Sequence, residues 1–334
     1  MEFSSHELIP VLPEITLLIM ACLVLFVDLF APGKERMGTY IVAMVALAVT
    51  ALVTVYSYQG AQLVLAGHYQ SDGLSLILKL VMTLGVAVVF LYGRGYLAVR
   101  GLLNGEFFTL SLFGLLGMMI IASSGSLLAL YLGLETLSLS LYALVGFDRR
   151  SVASSEAAIK YFILGALASG ILLYGISILY GVAGTLQLQT LQVEISAVLV
   201  DAGEYTMLLG LGVVFVVVGA AFKLGAAPFH MWLPDVYDGS PTAVTNYLGT
   251  VSKLAAIALV FRLFADGLQP LVDQWQPMLM LLAVTSLIIG NIVAIAQTNF
   301  KRMLGYSAIS HMGFVLLGIL TGTAEGYSSA LFYM

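Results

Sequence analysis

The chain has 334 residues, 60% of them apolar and 9% charged, with a formal net charge of −5 and a mean hydropathy of +1.03. Soluble domains carry about 25% charged residues, so this composition excludes an ordinary soluble domain and implies an integral membrane protein. A single cysteine, Cys22, excludes an intrachain disulfide, a thiol redox pair and a cysteine-ligated iron–sulfur cluster.

The apolar runs approach the roughly 20 residues a helix needs to cross a hydrocarbon core about 30 Å thick. The alternating segments of about ten residues that mark a membrane barrel are absent. The pattern predicts an all-α polytopic bundle whose first five spans are Val11 to Phe30, Thr39 to Tyr58, Leu74 to Leu97, Phe107 to Ser123 and Leu127 to Phe147. The next five are Ala157 to Val182, Tyr205 to Phe229, Ala243 to Ala265, Met278 to Ala296 and Met303 to Thr321. An eleventh begins near Tyr327 and meets the chain end at Met334. A spanning helix cannot stop after two turns with its carbonyls unsatisfied in lipid, so the sequence is expected to be incomplete there.

The first span follows Glu2 without a basic stretch and reads as an anchor rather than a cleaved leader. Only Ser124-Gly125-Ser126 separates the fourth and fifth spans, which predicts a tight antiparallel hairpin. The longest loop, Ala183 to Glu204, holds an amphipathic piece at Val193 to Val200 and is expected to lie on the outer surface. Thirty-four glycines, many within spans, suit close helix packing in lipid.

Basic residues orient such a chain. With the N-terminus outward, Lys34, Arg36, Arg94, Arg100, Arg149, Arg150, Lys301 and Arg302 fall on the inner side. The outer side then holds Arg262 alone among basic residues, with Asp72, Glu194, Asp201, Glu204, Asp266, Asp273 and Glu325. The inner loop with Asp235 and Asp238 is the exception, having no basic residue of its own.

Four lysines fall inside spans: Lys79, Lys160, Lys223 and Lys253. Lys223 is the most telling, because a long apolar run precedes it and Gly225 and Pro228 follow. A lysine at the bilayer centre costs roughly 2.5–3.5 kcal/mol. Glu135 sits mid-way along the fifth span and Lys253 in the eighth, so Glu135, Lys223 and Lys253 are the candidate proton-relay residues. The bland alternative is interhelical glue, for which Ser or Asn would serve more cheaply. At about 6 Å and an effective dielectric near 20, one Glu–Lys pair is worth about 2.8 kcal/mol. That is close to a hundredfold in proton affinity, and slightly above the roughly 2.3 kcal/mol for one charge against 100 mV.

Pro228 removes a backbone donor and Gly225 loosens packing, which predicts a helix break whose carbonyls water can reach. Lys160 lies four residues after Glu156, and a terminal i,i+4 pair and a role in proton entry both stay open. Lys79, near the outer end of its span, is expected to snorkel. His6 and His68 are expected in exposed outer segments. His230 beside the break and His311 mid-span are further proton-passing candidates. No dinucleotide loop, phosphate loop or metal-ligand cluster is present in the sequence.

The segment from Lys223 to Lys253, with Phe229-His230-Met231-Trp232-Leu233-Pro234-Asp235-Val236-Tyr237 and Ser240-Pro241-Thr242-Ala243-Val244-Thr245, resembles the antiporter-like subunits of NADH-quinone oxidoreductase, respiratory complex I. Among these it is most similar to subunit N. Leu134-Glu135-Thr136-Leu137-Ser138-Leu139-Ser140 and Lys301-Arg302-Met303-Leu304-Gly305-Tyr306-Ser307 carry the same resemblance, which covers essentially the whole chain. It implies an antiporter-like bundle with inverted five-helix repeats and a broken helix seven, truncated within helix eleven. Residues 1–105 would form three N-terminal helices, 106–270 the first repeat with its proton half-channel, and 271–334 the start of the second repeat.

The resemblance also gives Glu135, Lys223 and Lys253 the role of proton-channel residues. It implies a bacterial inner membrane, other membrane-arm subunits as partners, and no cofactor in this chain. NADH, flavin, iron–sulfur clusters and quinone would belong to other subunits. A subunit of a multisubunit cation/proton antiporter is the alternative, since it shares the Glu, Lys and broken-helix pattern.

Overall fold

A computed structural model describes residues 5–30, 36–200 and 205–334. Lys34, Asp201 and Glu204, used above for orientation, lie outside the described residues, as does the side chain of His6. Among the described residues, nine helices are long and apolar enough to cross a membrane, so the chain is a multi-pass membrane protein. The first five follow the predicted spans to within two residues, whereas the sixth begins at Val152, before the predicted Ala157, and the ninth at Gln269, well before the predicted Met278. The tenth predicted span is a helix of sufficient length, Phe300–Ile319, but it is less apolar and is not among the nine.

The chain divides into two compact units, residues 1–158 with 239–255 and residues 159–238 with 256–334. The first contains α1 (Leu12–Phe30), α2 (Met37–Tyr56), α3 (Gly73–Val99), α4 (Gly105–Ala122) and α5 (Leu127–Val145). Between α2 and α3 lies a short antiparallel hairpin, β1 (Gln62–Val64) and β2 (Tyr69–Ser71), which the all-helical expectation did not include. Its turn uses left-handed backbone at Leu65, Ala66 and Gly67. Asp72 then starts α3 with a capping box, its carboxylate accepting from Ser75 N at 2.8 Å.

Four buried hydroxyls within the first unit's helices are satisfied locally. Thr50, Thr54, Ser111 and Ser138 each donate to the carbonyl four residues earlier, as a lipid-embedded backbone demands. α4 is the central helix, with 78% of its apolar stretch buried. It pairs closely with α5 because Gly117 and Gly133 face each other. A Cβ on Gly133 would lie 2.9 Å from Gly117 O and 3.0 Å from Ile121 N.

After α6 (Val152–Ala183), α7 (Leu188–Val200) occupies the loop where a shorter amphipathic piece was expected. Leu188, Leu191 and Ile195 on α7 are fully buried. The second unit continues with α8 (Tyr205–Leu224) and α9 (Trp232–Gly239). The eighth predicted span is not one regular helix. It comprises α10 (Thr242–Gly249), an interruption at Thr250, α11 (Val251–Phe261) and a π-helical turn over Arg262–Gly267. α12 (Val272–Ala296) and α13 (Phe300–Ile319) pack together, and Asn291 Nδ2 donates to Ser310 Oγ at 2.8 Å between them. α14 (Ala324–Tyr333) packs on α13.

Candidate functional site

In the first unit, Glu135 stands mid-way along α5, and its Oε1 is buried without a hydrogen-bond partner among the described residues. Lys253 lies in the first turn of α11, 3% exposed. The interruption at Thr250 (φ −114°, ψ −77°) places a local irregularity three residues before it. Nothing in the spacing marked this break. α10, which leads to Lys253, contacts α3 and α5, and Tyr247 OH donates to Ser111 O of α4 at 2.7 Å. The unit therefore brings the Glu135 helix against the helix that leads to Lys253.

In the second unit, Lys223 occupies the last turn of α8, half-buried. α8 ends there because Gly225 adopts φ +74°, the left-handed conformation that glycine takes at no steric cost. Ala226 N donates to Ala221 O at 2.9 Å and Gly225 N to Phe222 O at 3.0 Å, the two bonds of a Schellman cap. The expectation of a water-reached break needs correction at several of these groups. Ala227 N donates to Ser286 Oγ of α12 at 2.8 Å, and Thr285 Oγ1 lies 2.9 Å from Ala227 O. Trp232 Nε1 donates to Phe222 O at 3.1 Å, while its ring stacks on Tyr161 with centroids 4.6 Å apart. Protein groups thus satisfy much of the backbone around the break. Pro228 itself is exposed.

Lys160 of α6 reaches Asp235 of α9, Nζ to Oδ2 at 3.0 Å, and Arg302 of α13 binds the other oxygen at 2.6 Å. Asn299 Nδ2 donates to Asp238 Oδ1 at 2.8 Å, and Lys301 Nζ lies 3.3 Å from Asp238 O. The acidic loop that broke the charge pattern is therefore matched by cations from elsewhere in the second unit. Partial burial raises the Asp235 carboxyl, but Lys160 and Arg302 outweigh it and hold the pKa below the ordinary value. His230 is half-buried near Tyr306, and burial lowers its pKa. His311 is exposed, with Nδ1 2.7 Å from Tyr333 OH.

Lys79 does not snorkel. It is 4% exposed and ion-paired to Glu14 of α1 at 2.6 Å. Tyr69 OH accepts from Lys79 Nζ at 2.7 Å, and its single proton faces both Pro10 O at 2.7 Å and Glu14 Oε2 at 3.0 Å. Burial, then the Glu14 charge, push the Tyr69 hydroxyl far above its ordinary pKa. Glu14 sits near the start of an apolar run, and nothing in the sequence tied it to Lys79. His68, expected to be exposed, is half-buried with Nδ1 2.8 Å from Ser126 Oγ.

Residues 124–334 match the family model described as NADH:quinone oxidoreductase/Mrp antiporter, TM. The chain is 53% identical to NADH-quinone oxidoreductase subunit N of Thioalkalivibrio sulfidiphilus, the alignment taking in 100% of this chain and 69% of that protein. This chain belongs to the NADH-quinone oxidoreductase subunit N family. The subunit N of Alkalilimnicola ehrlichii is 52% identical over 99% of this chain and 67% of its own length. The fold is also similar to a chain of respiratory complex I from Thermus thermophilus, with TM-score 0.77 and 33% identity over 96% of this chain and 67% of that one. A chain of the Mrp complex from Dietzia sp. superposes with TM-score 0.80 at 20% identity, over 99% and 62% of the two chains, a likeness of fold alone. The subunit N resemblance read in the motifs around Glu135, Lys223 and Lys301 therefore holds.

Proposed function

We propose that this subunit N family member moves protons across a bacterial inner membrane as part of the membrane arm of NADH-quinone oxidoreductase. Glu135, Lys223 and Lys253 form the relay, with Gly225 and Pro228 terminating the helix that presents Lys223. The reading rests above all on the buried, unpartnered Oε1 of Glu135 in a span-length helix. A buried side-chain oxygen without a hydrogen-bond partner is costly, and a position that keeps one in a span calls for a functional reason. Lys253, buried beside a helix interruption, is the relay's second group in the same unit.

Lys160 and Asp235 stand at proton entry on the side where the basic residues gather, with the N-terminus on the opposite face. His230 and His311 are secondary proton-passing groups. Helices α4 to α11 correspond to the first inverted repeat and α12 onward to the second. Electrons pass through NADH, flavin, iron–sulfur and quinone sites in other subunits, and quinone reduction there drives the relay. The antiporter-subunit alternative has weaker support, because its structural likeness is at 20% identity and carries fold only.

The test is Glu135→Gln in the assembled complex, in inverted membrane vesicles energised with NADH. NADH-driven acidification should fall several-fold while the complex still assembles. An unchanged rate and proton-to-electron ratio would reject Glu135 as a relay member.

A further inference from the structure

In the first unit, three spans begin or end around one cleft of about 260 Å³. α3 ends at Val99, α5 ends at Val145 and α10 starts at Thr242, so the cleft lies where hydrocarbon gives way to lipid headgroups. Its lining includes Tyr96, Arg100, Asp148, Ser240 and Pro241. The Arg100 guanidinium, at the C-cap of α3, lies 5.6 Å from the Tyr96 ring centroid. Asp148 sits on the connection after α5, with Arg150 N donating to its Oδ1 at 3.2 Å. Arg100 and Asp148 line the same cleft without forming an ion pair with each other. Leading up to it, α3 exposes Leu91, Tyr92 and Val99 by 56, 77 and 88%, an apolar track continuous with the charged end.

A cleft at headgroup depth with one cation, one anion and an apolar track below matches one ligand chemistry. We propose that it binds a zwitterionic phospholipid, with the phosphate on Arg100, the ammonium on Asp148 and an acyl chain along α3. A purely anionic headgroup would satisfy Arg100 but meet the Asp148 carboxylate, which works against it. Basic pockets among transmembrane helices are established lipid-headgroup sites in general. Here the added carboxylate selects for an amine-bearing lipid.

The experiment uses the assembled complex, exchanged into mixed phosphatidylethanolamine and phosphatidylglycerol and read by native mass spectrometry of retained lipid. The wild type should retain phosphatidylethanolamine in preference. Arg100→Gln should weaken its retention about fivefold, from about 1 kcal/mol per basic residue near the surface. Asp148→Asn should shift the ratio of the two lipids toward phosphatidylglycerol. Arg149→Gln, on the same face but not lining the cleft, should change neither. Unchanged retention in Arg100→Gln overturns the proposal, and so does an unchanged ratio in Asp148→Asn. Should Arg100→Gln fail to assemble, the Asp148→Asn ratio alone decides. Full displacement of lipid by inorganic phosphate would show a site for a free anion, and would also overturn it.

Discussion

Replacing Lys79 with methionine tests how the hairpin end of the first unit is held. The side chains of Lys79 and Glu14 are 4% and 7% exposed and their charged atoms lie 2.6 Å apart. Removing the ammonium leaves the Glu14 carboxyl buried with, among the described residues, the Tyr69 hydroxyl to bind, and breaking a buried pair in this way costs about 3–5 kcal/mol. Removing both charges in Glu14→Leu with Lys79→Met replaces the pair by apolar groups of similar size, which is often neutral or better. Tyr69→Phe falls between, at about 1–3 kcal/mol, because it deletes a donor to Glu14 and an acceptor for Lys79. Thermal unfolding of the purified complex, with its assembled fraction on native gels, completes the double-mutant cycle. A Lys79→Met complex as stable as wild type would show that the ion pair does not hold this end. A double variant as unstable as the single one would show that the loss does not come from the orphaned carboxyl.

Gly133→Ala should force α4 and α5 apart, since the new methyl meets backbone atoms at 2.9–3.0 Å, and overpacking of this kind costs about 1–3 kcal/mol; the melting temperature and assembled fraction read it. Ser286→Ala should orphan the Ala227 N–H at about 1–3 kcal/mol, and Ser286→Thr, which restores a hydroxyl, should recover part of the loss in the same melt. Asp235 has a depressed pKa, so its ties to Lys160 and Arg302 contribute fully above the ordinary aspartate value and are lost as pH falls through the lower folded value. The melting difference between wild type and Asp235→Asn should therefore stay constant down to about pH 5 and shrink below it. A difference that instead fades on raising the pH from neutral would show that another group controls the tie.

The spans were legible because the bilayer demands long apolar runs. Leu74 to Leu97 was read where the helix covers Gly73–Val99. Glu135, Lys223 and Lys253 stand on helices as read, and Gly225 ends α8 as its residue type suggested. Long-range pairing was not legible. Glu14 finds Lys79, and Asp235 finds Lys160 and Arg302, through packing of helices distant in the chain, which periodicity does not encode. The Thr250 interruption and the π-helical turn at Arg262–Gly267 carry no proline to announce them. At Ala227, Thr285 and Ser286 on α12 fill roles that a local reading assigns to solvent.

Arg262 was the lone cation on the face otherwise given to acids. In the π-helical turn it is 1% exposed and bound to Asp266 at 2.7 Å, with α7 packed against the same turn. Its charge is cancelled within one turn of its own helix and has little electrostatic reach toward the membrane surface. The turn therefore presents a compact dipole rather than a net positive charge to whatever lies beside it.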